Sequence, residues 1–454
     1  MTPTSISGFK AYDFRGRIPE ELNDEVAYRV GRAYAEFLKP RNVIVGRDIR
    51  LSSEEIGKAL ERGLLDSGVD VHDIGLCGTE CVYYATFARG MDGGIMVTAS
   101  HNPPDYNGMK FVREGSRPIS GDTGLQEIRR IAESGRFTPP QRLGERYAID
   151  VMPDYIEHLL GYVDRSRFKP LKIVVHAGNG GAGLIIDRLQ DFLPFEFIKV
   201  HHEPDGNFPH GVPNPMLVQN HRAPIEALRR HGADFAISWD GDYDRCFLFD
   251  ETGAFIEGYY IVGLLASVFL ERHPGSRIVH DPRLTWSTLD IVAKGGGQAV
   301  LSKSGHAFIK ATMREADAVY GGEMSAHHYF RDFAYCDSGM IPWLLVAQII
   351  SDTGKSLSEL VGVRVRAFPS PGEVNRKVPD ARATIAAVLE RYGPAALAID
   401  HTDGVSVEFA DWRFNLRSSN TEPLIRLNLE TRGDAALMRA KAAELLEFIG
   451  GEPG

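Results

Sequence analysis

The hexapeptide Asp240-Gly-Asp-Tyr-Asp-Arg245 places three carboxylates, Asp240, Asp242 and Asp244, directly after an apolar run, ADFAISW (233–239). Carboxylates so close repel one another strongly unless a cation neutralises them. Three hard oxygen donors, with room for water or a ligand oxygen, suit Mg²⁺. A calcium EF-hand also carries acids at alternate positions, and Glu251 falls at its twelfth place, but Arg245 stands where that loop needs glycine. The alternative is a solvated acidic turn.

Four other segments carry polar groups at the ends of apolar runs. In GGIMVTASHNP (93–103) a strand pattern runs into small residues, so Ser100 sits just past a strand end, where open α/β sheets bind ligands; a serine that merely stabilises a turn is the competing reading. GGEMSAHHYF (321–330) offers Glu323, Ser325 and His327, groups able to hold hydroxyls and move a proton near neutral pH. LRSSNTEPLIRL (416–427) joins two alternating strands, and Arg417 there can chelate a phosphate dianion. KIVVHAGNGGAG (172–183) fits the GxGxxG dinucleotide pattern through Gly178, Gly180 and Gly183, but glycine-rich turns also serve tight strand-to-helix connections.

These loops need elements to hold them. One pattern recurs three times: NVIVG (42–46), a helix over 52–68, then VDVHDIG; LKIVVHA (171–177), a helix near 182–193, then FEFIKVHH; and SRIVHD (276–281), a helix near 285–294, then GGQAVLSKSG. Strands alternating with helices at this spacing indicate βαβ units. Breaks at 134–145, 250–255 and 366–373 divide the chain into 1–149, 150–252, 253–365 and 366–454. The last part predicts a helix near Ala381–Tyr392, alternating strands, and a closing helix near Asp434–Ile449. The fold class is three similar mixed α/β domains and a smaller α+β domain, consistent with 454 residues at roughly 150 per domain.

Composition narrows the function classes. Hydrophobic residues make up 43% and charged residues 25%, ordinary for a globular chain. The 51 basic and 61 acidic residues give a net charge of −10, which disfavours nucleic acid and anionic membranes as partners while leaving a local phosphate site possible. Cys77, Cys81, Cys246 and Cys336 lack the paired spacing of a zinc site and the density of a disulfide scaffold. The longest apolar runs, such as Ile261–Leu270 and Ile341–Ile350, fall short of the ~20 residues that span a bilayer. A cytoplasmic location is expected.

TASHNP (98–103), DGDYDR (240–245), GEMSAHH (322–328) and RSSNTEP (417–423), in that order along the whole chain, closely resemble the phosphoserine, metal, sugar and phosphate loops of the α-D-phosphohexomutases, in particular the bacterial phosphomannomutase/phosphoglucomutase branch. The resemblance implies four domains around a central cleft, the last TATA-binding-protein-like. It implies that Ser100 carries the phosphoryl group and, with Asp240, Asp242 and Asp244, holds Mg²⁺. Lys110 and His327 become acid/base candidates, with Arg15 and Arg245 flanking the transferred group. Glu323 and Ser325 hold sugar hydroxyls, and Arg417, Ser419, Asn420 and Thr421 hold the distal phosphate. Tyr12, Arg283 and His306 are further substrate contacts, Arg283 standing where many relatives have lysine. Ala326 replaces the commoner glycine, and His328 is extra; both bear on loop flexibility or sugar preference. The implied activity is a mutase interconverting the 6- and 1-phosphates of mannose, and of glucose, through a hexose 1,6-bisphosphate, and the expected form is a monomer acting on hexose phosphates without nucleic acid or membrane. A phosphoglucosamine mutase, a NAD(P)-dependent oxidoreductase and a non-catalytic sugar-phosphate sensor are the alternatives.

Overall fold

A computed structural model describes residues 5–418 and 424–453. Two units partition the chain. The first holds residues through Phe255 together with Asp332–Gly354, and the second holds Ile256–Arg331 together with Lys355 onward.

Val43, Ile44 and Val45 of the run NVIVG are almost wholly buried, as expected of a parallel strand covered on both faces. In the first unit, one sheet runs Phe14–Arg17, Tyr106–Arg113, Gly93–Val97, Asn42–Arg47, Asp70–Leu76 and Arg146–Ala148 from edge to edge. The four strands from Gly93–Val97 onward are parallel, and Tyr106–Arg113 runs antiparallel to both of its neighbours. A second sheet runs Cys246–Asp250, Phe235–Trp239, Lys172–His176, Glu196–Val200, antiparallel only at the first pairing.

In the second unit, one sheet contains the run Gln298–Leu301, Arg277–His280, Tyr320–Gly322, His328–Phe330, antiparallel at the last pairing. The other is antiparallel throughout the pairs Ala398–Asp400, Val405–Glu408, Trp412–Ser418, Leu424–Thr431 and Glu373–Lys377. Two helices, Ala381–Tyr392 and Ala435–Ile449, pack on it through Val388, Tyr392 and Leu445 against Phe414, Leu416, Leu427 and Leu429. Asp380 and Asp434 cap them by accepting from first-turn amides.

One arrangement therefore recurs three times. The first strand of each βαβ unit lies between the second and third, and a fourth returns antiparallel beside the third. TASHNP, DGDYDR and EMSAHH each occupy the turn between third and fourth strands. In each turn one residue other than glycine adopts a left-handed conformation: Ser100 (φ 48°), Tyr243 (φ 46°) and Ala326 (φ 67°). Such backbone costs about 1–2 kcal/mol per residue and persists where the surroundings impose it.

Some elements differ from the sequence reading. The helix expected over 52–68 covers Ser53–Leu65, and that expected over 182–193 stops at Leu189 before a tighter turn at Gln190–Phe192. Helix Thr79–Ala88 has no counterpart in that reading. It is buried from Thr79 to Thr86, so it lacks the one-sided polarity that reveals a surface helix. The apolar runs at 261–270 and 341–350 lie in the core helices Gly258–Arg272 and Ile341–Thr353. Among the described residues no helix is long and apolar enough to cross a membrane.

Candidate active site

In the first unit Ser100 is buried at 3% exposure and its Oγ donates to Asp240 Oδ2 at 2.7 Å. Its loop is braced from two sides. Arg15 donates to the Ala99 carbonyl at 2.5 Å, to Asn102 at 2.6 Å and to Asp13 at 2.7 Å. Arg245 donates to Asp240 at 2.8 Å and meets His101 Nδ1 at 2.5 Å. Arg50 fixes the loop further through the carbonyls of Ser100, Asn102, Pro103 and Tyr106. Burial, then the charges of Arg245 and Arg15, hold the His101 imidazole well below its ordinary value, so it is neutral. Tyr12 lies half-buried just before strand Phe14–Arg17.

Asp240, Asp242 and Asp244 each offer one oxygen within 4.8 Å of the others, and all three are buried. Lys110, on strand Tyr106–Arg113, reaches Asp242 Oδ2 at 2.7 Å and Asp244 Oδ2 at 2.5 Å. Burial works against its charge, but the two carboxylates outweigh that and hold the amine well above its usual value. The structure thus sets Lys110 as a charged partner of the acidic loop that holds its proton tightly. Burial raises Asp242, and Lys110 and Thr79 overcome it, leaving that carboxyl below its ordinary value; burial and the charge of Asp242 push Asp244 up. Asp242 Oδ1 is buried and has no hydrogen-bond partner among the described residues. Buried unpaired carboxylate oxygens are costly, and hard oxygen donors converging this way fit a divalent cation.

The glycine loop 178–183 packs beneath this site. Gly181 N donates to Gly241 O at 3.1 Å. A Cβ at Gly181 would meet the Tyr243 ring at 2.9 Å, and one at Gly183 the His202 carbonyl at 2.2 Å. Side chains at these positions would collide with Tyr243 and His202, so the glycines serve close packing of the turn.

In the second unit Glu323 is 2% exposed. It accepts from Tyr329 at 2.5 Å and Gly305 N at 2.7 Å, and lies 3.6 Å from His327 Nδ1. Arg283 Nη2 reaches Glu323 at 3.4 Å and Ser325 Oγ at 3.3 Å, while its main partner is Asp281 at 2.8 Å. Asp281 also accepts from Met324 N at 2.8 Å. Burial would raise the Asp281 carboxyl, but Arg283 outweighs it and keeps it ionised. The His306 and His327 rings are 6.3 Å apart. His328 does not join this group. It is fully buried, its Nδ1 bonds the Tyr320 hydroxyl at 2.7 Å, and burial lowers it to about 3. It is a neutral histidine of the core.

Arg417 stands directly opposite Arg426 on the paired strands. Both hold Glu373, at 3.1 and 3.3 Å, and Asp403 lies 3.7 Å from Arg417. Among the described residues the Nε atoms of both arginines are buried without a partner. Ser419, Asn420 and Thr421 lie outside the described residues. The sequence reading missed Thr79, Asp281, Glu373, Asp403 and Arg426. Only Arg426 carried a signal, since its spacing from Arg417 across a hairpin places the two side by side.

A strained serine bonded to one member of a buried acidic triplet, on an α/β scaffold, defines a phosphoryl-transfer enzyme. The match extends to the whole chain. Residues 7–139, 153–253 and 257–368 match the phosphoglucomutase/phosphomannomutase alpha/beta/alpha domains I, II and III, and 373–447 match the C-terminal domain. A phosphomannomutase of Escherichia coli is 59% identical over 454 residues, covering 98% of this chain and 100% of that one. A protein of Xanthomonas campestris pv. campestris described as "phosphohexose mutases" is 57% identical over 447 residues, with 98% and 100% covered. The crystal structure of a phosphoglucomutase/phosphomannomutase family protein from Burkholderia thailandensis superposes with a TM-score of 0.88 at 33% identity, covering 100% of this chain and 99% of that one. The chain belongs to the phosphoglucomutase/phosphomannomutase family.

Proposed function

We propose that this enzyme interconverts mannose 6-phosphate and mannose 1-phosphate, and the corresponding glucose phosphates, with Ser100 as phosphoryl carrier. The observation that carries the reading is the Ser100 Oγ bond to Asp240 within the buried acidic triplet. The names of the relatives add the hexose phosphate class. Phosphoryl transfer needs positioning and charge neutralisation above all.

In this mechanism the free hydroxyl of a hexose monophosphate attacks the phosphorus on Ser100. A P–O bond forms to the sugar, the P–O bond to Ser100 breaks, and the hydroxyl proton passes to a base. His327 and Lys110 are the groups we assign to proton movement. Asp240, Asp242 and Asp244, with the phosphate on Ser100, would hold Mg²⁺, which when bound neutralises phosphoryl oxygens. Arg15 and Arg245 brace the serine loop and balance the charge around it. Glu323 and Ser325, oriented by Arg283, hold the sugar's 3- and 4-hydroxyls, with Tyr12 and His306 as further contacts. Arg417 and residues 419–421 hold the phosphate that does not react. The 1,6-bisphosphate then turns over and returns its other phosphate to Ser100. Reading only the 3- and 4-hydroxyls leaves position 2 unexamined, which admits both mannose and glucose. Within this proposal the enzyme acts in the cytoplasm.

The test is a coupled assay of the purified enzyme with mannose 1-phosphate and glucose 1-phosphate, primed with hexose 1,6-bisphosphate. Turnover of both is expected; turnover of neither contradicts the assignment.

A further inference from the structure

The metal loop is gripped by a helix that no motif announced. Thr79 opens helix Thr79–Ala88 and is completely buried. Its Oγ1 donates to Asp242 Oδ2 at 2.5 Å, and its amide donates to the Asp242 carbonyl at 3.2 Å. One residue earlier, Gly78 N donates to the Tyr243 hydroxyl at 2.7 Å, which also lies 3.2 Å from Cys81 Sγ. The fit is close, since a Cβ at Gly78 would fall 2.3 Å from the Tyr243 ring.

Two donors, Thr79 Oγ1 and Lys110 Nζ, therefore occupy Asp242 Oδ2, while among the described residues Oδ1 stays buried and unpaired. A carboxylate turns readily about its last side-chain bond, so something must decide which oxygen is left over. We propose that Thr79 is a positioning residue for cation binding: its hydroxyl pins Oδ2 and thereby presents Oδ1. Thr79 touches neither the reacting serine nor the sugar in this scheme. It acts through Asp242, as outer hydrogen-bond partners commonly orient metal-ligating groups. The inference rests on the reading of Asp240, Asp242 and Asp244 as the metal loop.

The experiment is Mn²⁺ titration of the full-length protein, followed by electron paramagnetic resonance of the free ion, for wild type, Thr79→Val, Thr79→Ser and Asp240→Asn. Thr79→Val keeps the shape and loses the donor. We expect it to bind Mn²⁺ about tenfold more weakly, the scale of one hydrogen bond to a charged group, with Thr79→Ser close to wild type. In turnover, the Mg²⁺ concentration for half-maximal rate should rise for Thr79→Val, while kcat at saturating Mg²⁺ stays within about twofold and KM for hexose phosphate is unchanged. Wild-type affinity in Thr79→Val, or equal loss in Thr79→Ser, overturns the role of the hydroxyl and leaves the metal loop standing. Absence of Mn²⁺ binding in wild type, or undiminished binding in Asp240→Asn, overturns the metal loop and the inference with it. If thermal melting shows Thr79→Val unfolded, Thr79→Ala removes the same hydroxyl with a smaller side chain. Weakened Mn²⁺ binding in the folded variant supports the inference, and unchanged binding overturns it.

Discussion

Ser100 Oγ and Asp240 Oδ2 are 2.7 Å apart although 140 residues separate them in the chain. The third-strand turns of two successive α/β repeats are thereby joined, one supplying the nucleophile and the other the acidic group beside it. Replacing Ser100 with alanine removes the oxygen that carries phosphorus. Ser100→Ala should lose nearly all mutase activity while keeping its fold, measured by coupled assay and circular dichroism; full turnover in the variant refutes the carrier role.

Chelation of divalent metal should stop turnover and added Mg²⁺ should restore it. Asp240→Asn should not be rescued by Mg²⁺ at concentrations that saturate the wild type, because one charged ligand of three is gone. Activity that persists in chelator contradicts the assignment of the triplet.

Arg417 is held by Glu373 and Asp403, with its Nε unpaired among the described residues. Arg417→Ala should raise KM for hexose phosphates on the order of 10- to 100-fold, the worth of a charge-assisted contact to a phosphate dianion. Steady-state kinetics decide it; an unchanged KM places the phosphate elsewhere.

Ala326 adopts φ 67° in the turn after Tyr320–Gly322. Glycine there relieves left-handed strain of about 1–2 kcal/mol and gives back about 0.5–1 kcal/mol as freedom in the unfolded chain. Ala326→Gly should therefore raise the melting temperature slightly, as calorimetry can show. A lower melting temperature means the methyl group packs better than the backbone is strained.

Glu80 is completely buried and accepts from the Ser338 hydroxyl. Burial raises its carboxyl well above the ordinary range, Ser338 opposes this, and nearby Asp244 and Asp337 add to it. The folded state therefore holds a proton that the unfolded chain releases. Its contribution is full below the unfolded value and is lost as pH rises through the folded one, with a slope of at most about 1.4 kcal/mol per pH unit. Glu80→Gln keeps the acceptor and cannot ionise. Denaturant melts across pH 5–8 should lose this component of the decline; an unaltered profile contradicts a neutral Glu80.

The loops that carry chemistry stood out in the amino-acid sequence because each places polar groups at the end of an apolar strand, as DGDYDR does after ADFAISW. What holds those groups did not stand out. Thr79 meets Asp242 across 163 residues, and Glu373 joins arginines from two different strands; neither pairing leaves a local pattern. Helix Thr79–Ala88 was missed for a related reason, since burial on all sides erases the period that marks a helix. His328 follows His327 directly, yet it opens strand His328–Phe330, and side-chain alternation turns the two to opposite sides.

Phosphoryl transfer through Ser100 is tested most directly by locating the phosphate. Enzyme charged with isotopically labelled hexose 1,6-bisphosphate is digested and sequenced by mass spectrometry, before and after a chase with unlabelled hexose 6-phosphate. The label should appear on Ser100 and pass to the sugar in the chase. Label on another residue, or an unlabelled Ser100 in an enzyme that turns over at full rate, would contradict the account.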